Sequence, residues 1–235
     1  MQLLVLAGGF GSRLQSVVSE VPKALAPVGE VPFLRLQIEH WINQGLKSFV
    51  FLLYHQAELI IDFLRNEQNC LLKGCNVQWL VEPAPMGTGG ALAYAVEQLI
   101  LKNDFLVTNA DTWLGTGIKE LWCAAAPAMA VIKVKDAGRY GNVQFDSNKH
   151  INAFHEKSTV TGEGWINAGL SHLNAELFKD WNHKPFSLEM ISFSSLAARS
   201  TVEAVPLQTD FIDIGVPEDY FRFCRWIESG KTGSL

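Results

Sequence analysis

The chain opens on an almost wholly apolar run, Gln2-Leu-Leu-Val-Leu-Ala7, that stops at two glycines. A short unbroken apolar run ending in a turn signal is the pattern of a central parallel strand covered on both faces. The pattern returns at Ser48–Tyr54, Asn76–Val81 and Phe105–Asn109. Between these runs the spacing changes from strand-like to helical. Phe33, Leu36, Gln37, His40, Trp41 and Gln44 advance along one helix, with Pro32 at its first turn and Gly45 as its stop. Two further helices are predicted at Glu58–Arg65 and Gly90–Leu101. Strands that alternate with helices predict an α/β, Rossmann-like, mostly parallel sheet flanked by helices on both faces. Ligands bind at the carboxyl ends of the strands of such sheets. Gly8–Gly9, Glu82–Pro83 and Asn109–Asp111 all fall at those ends.

The second half is richer in strands. Ala130–Val134 reads as one, and Tyr140–Phe145 and Ile151–Glu156 as a pair joined by the turn Asp146-Ser-Asn-Lys149. Trp165–Leu173, Val202–Val205 and Phe211–Ile214 are further strands, Phe186–Ser195 a helix, and Pro217 opens a last helix to Glu228. A single domain over 1–228 is expected, with 229–235 as a polar, frayed tail.

Composition narrows this picture. Of the 235 residues 48% are apolar and 18% charged, which describes a folded globular chain and excludes disorder. The formal net charge of −5 supplies no field for nucleic acid, so a polyanionic ligand must be met by placed cations and a metal. The N-terminal run is too short and lacks the basic flank of a signal peptide, and no segment approaches membrane-spanning length. Cys70, Cys75, Cys123 and Cys224 match neither a zinc nor a Cys-x-x-Cys spacing and read as reduced thiols. A cytoplasmic protein is expected, with its tryptophans in the core and homo-oligomerisation left open.

Four segments carry chemistry. In Leu6-Ala-Gly-Gly-Phe-Gly-Ser-Arg-Leu14, Gly8, Gly9 and Gly11 let backbone N–H groups approach phosphate oxygens, and Arg13 and Lys23 add positive charge. A dinucleotide fingerprint requires glycine where Leu14 stands, and a Walker loop requires a Gly-Lys that is absent here. Glu82-Pro-Ala-Pro-Met-Gly-Thr-Gly-Gly90 leads glycines into a helix, offering free N–H groups, the positive helix end and a slot for a flat base. Asp111 and Asp213 each follow apolar strands, and carboxylates at the mouth of a parallel sheet suit Mg²⁺. Glu156, Lys157 and Asn167 supply the acceptors and donors that a sugar phosphate needs.

Together these residues resemble the sugar-1-phosphate nucleotidylyltransferase family. The family's Leu-Ala-Gly-Gly-x-Gly-Ser/Thr-Arg-Leu and Pro-Lys stand at 6–14 and 22–23, with Gly-Thr-Gly-Gly at 87–90. Its strand-end Asp is at 111, Glu-Lys at 156–157, Asn-x-Gly at 167–169 and Asp-x-Gly at 213–215. Within it the chain is most similar to D-glycero-D-manno-heptose 1-phosphate guanylyltransferases, on Glu82-Pro-x-Pro-x-Gly-Thr-Gly-Gly-Ala, Arg139-Tyr-Gly-Asn-Val and Asp213-Ile-Gly-Val-Pro-Glu-Asp-Tyr. The resemblance implies attack of a sugar 1-phosphate on the α-phosphorus of a nucleoside triphosphate, GTP by this likeness, with release of pyrophosphate. It assigns nucleotide binding mainly to 1–135 and sugar-phosphate binding mainly to the β-rich 136–215. Arg13 and Lys23 are then the catalytic cations, and Asp111 and Asp213 the Mg²⁺ ligands. Leu6, Ala7, Gly8, Gly9, Gly11, Ser12, Arg13, Glu82, Gly87 and Thr88 contact the nucleotide, and Gly141, Glu156, Lys157 and Asn167 the sugar phosphate. Ala110 departs from the family's commoner glycine, and its methyl is expected to narrow the sugar's space. A mannose-1-phosphate guanylyltransferase, an amino-sugar-phosphate uridylyltransferase and a catalytically silent sugar-nucleotide sensor are the alternatives.

Overall fold

The computed structural model describes residues 1–155, 162–189 and 201–231. In chain order the elements begin with β1 (Leu3–Leu6), β2 (Pro27–Val28), β3 (Val31–Pro32), α1 (Phe33–Asn43), β4 (Ser48–Leu53), α2 (Ala57–Glu67) and β5 (Asn76–Val81). They continue with α3 (Gly87–Gln98), β6 (Asp104–Asn109), β7 (Thr112–Leu114), α4 (Ile118–Cys123), β8 (Ala128–Val134), β9 (Asn142–Phe145) and β10 (Ile151–His155). The last are β11 (Gly164–Asn174), β12 (Glu203–Leu207), β13 (Phe211–Asp213) and α5 (Pro217–Glu228). The chain forms two compact units, one of Met1–Pro83, Asn109–Gly115 and the residues from Asp210 onward, the other of Ala84–Thr108 and Thr116–Thr209.

The first unit is built on three parallel strands with β4 in the middle, Leu4 opposite Val50 and Phe51 opposite Trp79. The apolar run of β4 is buried from Phe49 to Leu53, as a strand covered on both faces requires. Helix α1 buries Phe33, Leu34, Ile38 and Trp41, and α2 buries Ile60, Ile61 and Leu64. The stripe of each helix therefore packs while its polar face stays in water. The antiparallel pair β7–β13 and helix α5 close a second core, in which Leu14, Val28, Phe33, Trp113, Ile212, Phe223 and Trp226 meet. Each fully buried phenylalanine there is worth about 1.5–3 kcal/mol of apolar burial.

In the second unit β11 is the organising strand. It runs antiparallel to β6 through Leu170–Asn174 and to β8 through Gly164–Asn167 and Ser171–His172, with an irregularity between Asn167 and Ser171. β12 joins β8 in parallel, and β9 and β10 form the expected antiparallel pair. The α/β class is as the sequence predicts, with parallel strands concentrated in the first unit and a β-rich second one.

Four features depart from the sequence pattern. The hairpin β2–β3, the strand β7 and the helix α4 have only two, three and six residues, too few for a period to show. Pro32 precedes α1 instead of lying in its first turn. Residues 229–231 are held, not frayed: Ser229 and Lys231 bond the carbonyl of Trp226, and the Lys231 ammonium lies 5.1 Å from the Trp113 ring centroid. Trp122 is exposed, while Trp41, Trp113 and Trp226 are core residues. Most of the predicted helix at Phe186–Ser195 lies outside the described residues. Among the described residues no helix is long and apolar enough to cross a membrane.

Candidate active site

The candidate site lies at the first unit's strand ends. After β1 the Ala7 N–H still bonds Leu52 O at 2.9 Å, and the chain leaves the sheet at Gly8. A Cβ on Gly8 would stand 2.9 Å from Glu82 Oε1 and 3.2 Å from the Tyr54 backbone nitrogen, so only glycine passes between the ends of β4 and β5. Gly11 has φ +62° and lies against the Lys23 stem, where a Cβ would be 3.1 Å from that residue's Cβ. From Gly11 the loop coils: Leu14 N–H bonds Gly11 O, and Val18 N–H bonds Leu14 O. The coil buries Leu14 and Val18 and leaves Gly9, Phe10, Ser12 and Arg13 exposed.

Lys23 begins a single 3-10 turn after Pro22 and points at two acids. Its ammonium pairs closely with Asp111 Oδ2 and lies 3.9 Å from Asp213 Oδ1. Asp111 sits on a turn fixed from several sides. Ala110 N–H bonds Leu6 O at 3.0 Å, Ile214 N–H bonds Asp111 O at 3.0 Å, and the Thr112 hydroxyl donates to Asp111 Oδ1 at 3.2 Å. Asp213, at the end of β13, accepts the Gly215 N–H at 2.7 Å. A Cβ on Gly215 would come within 2.7 Å of Asp213 Oδ1 and 3.2 Å of the Lys23 ammonium. Burial and then the charge of Asp111 push the Asp213 carboxyl above its ordinary range, against the pull of Lys23, the Gly215 N–H and Arg13. One ammonium thus faces two carboxylates that still repel each other. A pair of carboxylates is the protein share of a Mg²⁺ site completed by phosphate oxygens, and such an ion would relieve that repulsion.

The expected residues of this unit, Leu6, Ala7, Gly8, Gly9, Gly11, Ser12, Arg13, Lys23, Glu82, Asp111 and Asp213, all lie on or beside these strand ends and their loops. Glu82 is buried at 8% exposure beside Gly8. The Ala110 methyl belongs to the core, at 3% exposure for the residue, which corrects the expectation that it narrows the sugar's space. Sequence reasoning overlooks Tyr54 and His55, whose rings flank Phe10 at centroid distances of 5.9 Å and 5.1 Å. Their signal is positional: they follow the C-terminal end of β4, the third strand end of the same rim. Gly215 is marked by the Asp-x-Gly motif at 213–215, but its close packing against Asp213 and Lys23 appears only in the structure.

The second unit holds the remaining residues. Gly87 has φ +71° and is exposed at the start of α3. The expectation of free N–H groups and a base slot behind it needs correction. Gly89 and Gly90 N–H both donate to Phe186 O, at 3.0 Å and 3.2 Å, while Phe186 N–H donates to Met86 O at 2.9 Å. The Phe186 ring fills the space that Gly89 leaves, since a Cβ there would fall 2.1 Å from it. Thr88 is engaged inside the protein as well: its hydroxyl donates to Glu189 Oε2 at 2.6 Å and accepts Leu188 N–H at 2.9 Å. Gly141 and Asn167 are brought together, Asn167 N–H bonding Gly141 O at 3.1 Å. The Asn167 side-chain oxygen accepts Gly169 N–H at 2.9 Å. Glu156 and Lys157 lie outside the described residues.

A glycine loop carrying Arg13, beside two strand-end aspartates that share the Lys23 ammonium, is an arrangement suited to binding phosphates. The comparisons agree: residues 2–229 match the family model described as nucleotidyl transferase, and the chain belongs to that family. It is 32% identical over 228 residues to the D-glycero-alpha-D-manno-heptose 1-phosphate guanylyltransferase of Campylobacter jejuni, spanning 95% of this chain and 98% of that protein. It is 30% identical over 238 residues to the mannose-1-phosphate guanyltransferase of Yarrowia lipolytica, covering 97% of this chain but only 65% of that one. Among solved structures, HddC from Yersinia pseudotuberculosis complexed with GMP-PN superposes with a TM-score of 0.83 at 31% identity, over 96% of this chain and 99% of that one.

Proposed function

We propose that this chain transfers a guanylyl group from GTP to D-glycero-D-manno-heptose 1-phosphate, giving a GDP-heptose and pyrophosphate. The supporting observation is the Lys23 ammonium set between Asp111 and Asp213 beside the Gly8–Arg13 loop. A phosphate oxygen of the sugar 1-phosphate attacks the α-phosphorus, and the bond from that phosphorus to the α,β-bridging oxygen breaks. Lys23 offsets charge on the α-phosphoryl and holds the incoming phosphate close, while Arg13 holds the triphosphate and its leaving pyrophosphate. Asp111 and Asp213 would hold Mg²⁺, which supplies Lewis-acid neutralisation of the phosphates. Gly141, Glu156, Lys157 and Asn167 are the proposed sugar-phosphate ligands. The need for a nucleoside triphosphate supports a cytoplasmic site of action.

Glu82 supports the choice of base. A carboxylate only accepts hydrogen bonds, and guanine presents two adjacent donors, N1–H and the exocyclic amine, on one edge. Uracil and thymine flank their single N3–H with carbonyl oxygens that a carboxylate repels. Glu82→Gln is expected to lower kcat/KM for GTP by roughly 30-fold, about 2 kcal/mol, and to narrow the preference over UTP. An unchanged GTP:UTP ratio would contradict this role. Asp111→Asn, Asp213→Asn and Lys23→Ala each should lower turnover at least ~100-fold, about 2.7 kcal/mol. Near wild-type turnover in both aspartate variants sinks the metal assignment, and GTP binding without pyrophosphate release under any sugar phosphate favours the sensor.

A further inference from the structure

Helix α1 contains a polar residue that the mechanism above does not use. Gln37 is 1% exposed and lies among the buried Phe33, Leu34, Ile38 and Trp41 of the same helix. An amide taken out of water costs free energy unless it is hydrogen-bonded, so its partners are informative. Its Nε2 donates to Thr112 O at 2.7 Å and approaches Asn109 O at 3.4 Å, 75 and 72 residues along the chain. These two carbonyls bracket Asp111. One turn later His40 extends the grip, with Nε2 3.0 Å from Leu114 O and its ring stacked on Trp113 at 4.4 Å. One face of α1 therefore holds the segment Asn109–Leu114 from its first residue to its last. Leu6 O and Ile214 N–H secure the same turn by single backbone bonds. Gln37 is the helix residue whose side chain bonds the two carbonyls on either side of Asp111.

We propose that Gln37 is a positioning residue for Asp111. Its amide holds the turn in the conformation that sets the Asp111 carboxylate against Lys23, and it touches neither substrate. This rests on the role given to Asp111 above. Without the amide, Thr112 O loses its buried donor, and the turn relaxes toward whatever else satisfies it. A shift of the order of 1 Å in a group that orders reacting phosphates lowers turnover far more than it lowers binding.

The test is a double-mutant cycle with Gln37→Met, which keeps the length of the side chain and removes its donors. In the wild-type background kcat should fall about 30-fold, with KM for GTP and sugar phosphate within about 3-fold. In the Asp111→Asn background the same change should lower kcat by less than about 2-fold, because the carboxylate it positions is gone. Manganese binding to the enzyme–GTP complex, read by electron paramagnetic resonance, should weaken about 10-fold in Gln37→Met. If Gln37→Met does not fold, Gln37→Glu, which keeps the shape and replaces the donor with an acceptor, takes its place in the cycle. Equal losses in both backgrounds, or unchanged kcat and manganese affinity in a folded variant, would overturn the proposal. Wild-type turnover in Asp111→Asn alone would instead overturn the role of Asp111 itself.

Discussion

Gly215→Ala isolates the geometry of the two aspartates from the stability of the fold. The residue is buried, and its backbone does not occupy the positive-φ region, so alanine introduces no conformational strain. The added methyl, however, would stand 2.7 Å from Asp213 Oδ1 and 3.2 Å from the Lys23 ammonium, where ordinary contact begins at 3.4 Å. The carboxylate must retreat by roughly 0.7 Å, and its 2.7 Å bond from the Gly215 N–H is lost or bent. A hydrogen bond to a charged group is worth about 1.5–3 kcal/mol, and a misplacement near 1 Å at a reacting centre costs up to about 100-fold. Turnover in Gly215→Ala should therefore fall about 30- to 100-fold, with KM for GTP nearly unchanged. Stability should fall by no more than about 1–3 kcal/mol, because the lost hydrogen bond is partly offset by the roughly 0.4–1 kcal/mol that alanine recovers by restricting the unfolded chain. Steady-state pyrophosphate release beside thermal unfolding separates the two effects. Turnover within about 3-fold of wild type would refute the claim that Asp213 must sit where this backbone puts it. A loss of activity matched by a large loss of Tm would show that the methyl disturbs the fold instead.

Two further expectations concern the scaffold. Burial, and then the positive charge of Lys231, lower the His40 pKa from its ordinary 6.5, against the bonds from Leu114 and Gly115 that raise it. The unfolded chain then takes up a proton that the folded one refuses, so the stability His40 contributes is present above about pH 6.5 and is lost as the pH falls below it. Urea unfolding at pH 7.5 and 5.5 should show a smaller acid loss in His40→Phe than in wild type; equal losses would contradict the shift. Gly89→Ala forces a methyl into the Phe186 ring and should destabilise by about 1–3 kcal/mol, read as a lower urea midpoint, whereas an unchanged midpoint would show that the ring swings aside freely.

The sequence makes the frame of the site legible because local pattern carries it. Apolar runs end at or shortly before Gly8, Glu82 and Asp111, and strand-end placement follows from that alone. The cations follow from the loop composition at Arg13 and Lys23. What the pattern conceals is set by contacts far apart in the chain. Gln37 reads as one more polar position on an amphipathic helix until its carbonyl partners, more than 70 residues away, are known. Gly89 reads as part of a phosphate or base cradle, and nothing local announces that Phe186 will occupy its space. Gly215 has a local signal, two residues after an acid, but its necessity appears only when the Lys23 ammonium comes within 3.2 Å of its missing Cβ. Strand β7 is three residues long and gains its definition from β13, about 100 residues later.

The central claim is that the site joins a guanine nucleotide to a heptose phosphate. Purified protein with Mg²⁺ is offered GTP, UTP, dTTP and ATP, each against D-glycero-D-manno-heptose 1-phosphate, mannose 1-phosphate and N-acetylglucosamine 1-phosphate. Pyrophosphate release and the mass of the product are read in every cell of that grid. The account predicts the highest kcat/KM for GTP with the heptose phosphate, and a GDP-heptose formed in equal amount with pyrophosphate. Turnover confined to UTP or dTTP would contradict the guanine assignment, and turnover with GTP confined to mannose 1-phosphate would contradict the heptose assignment.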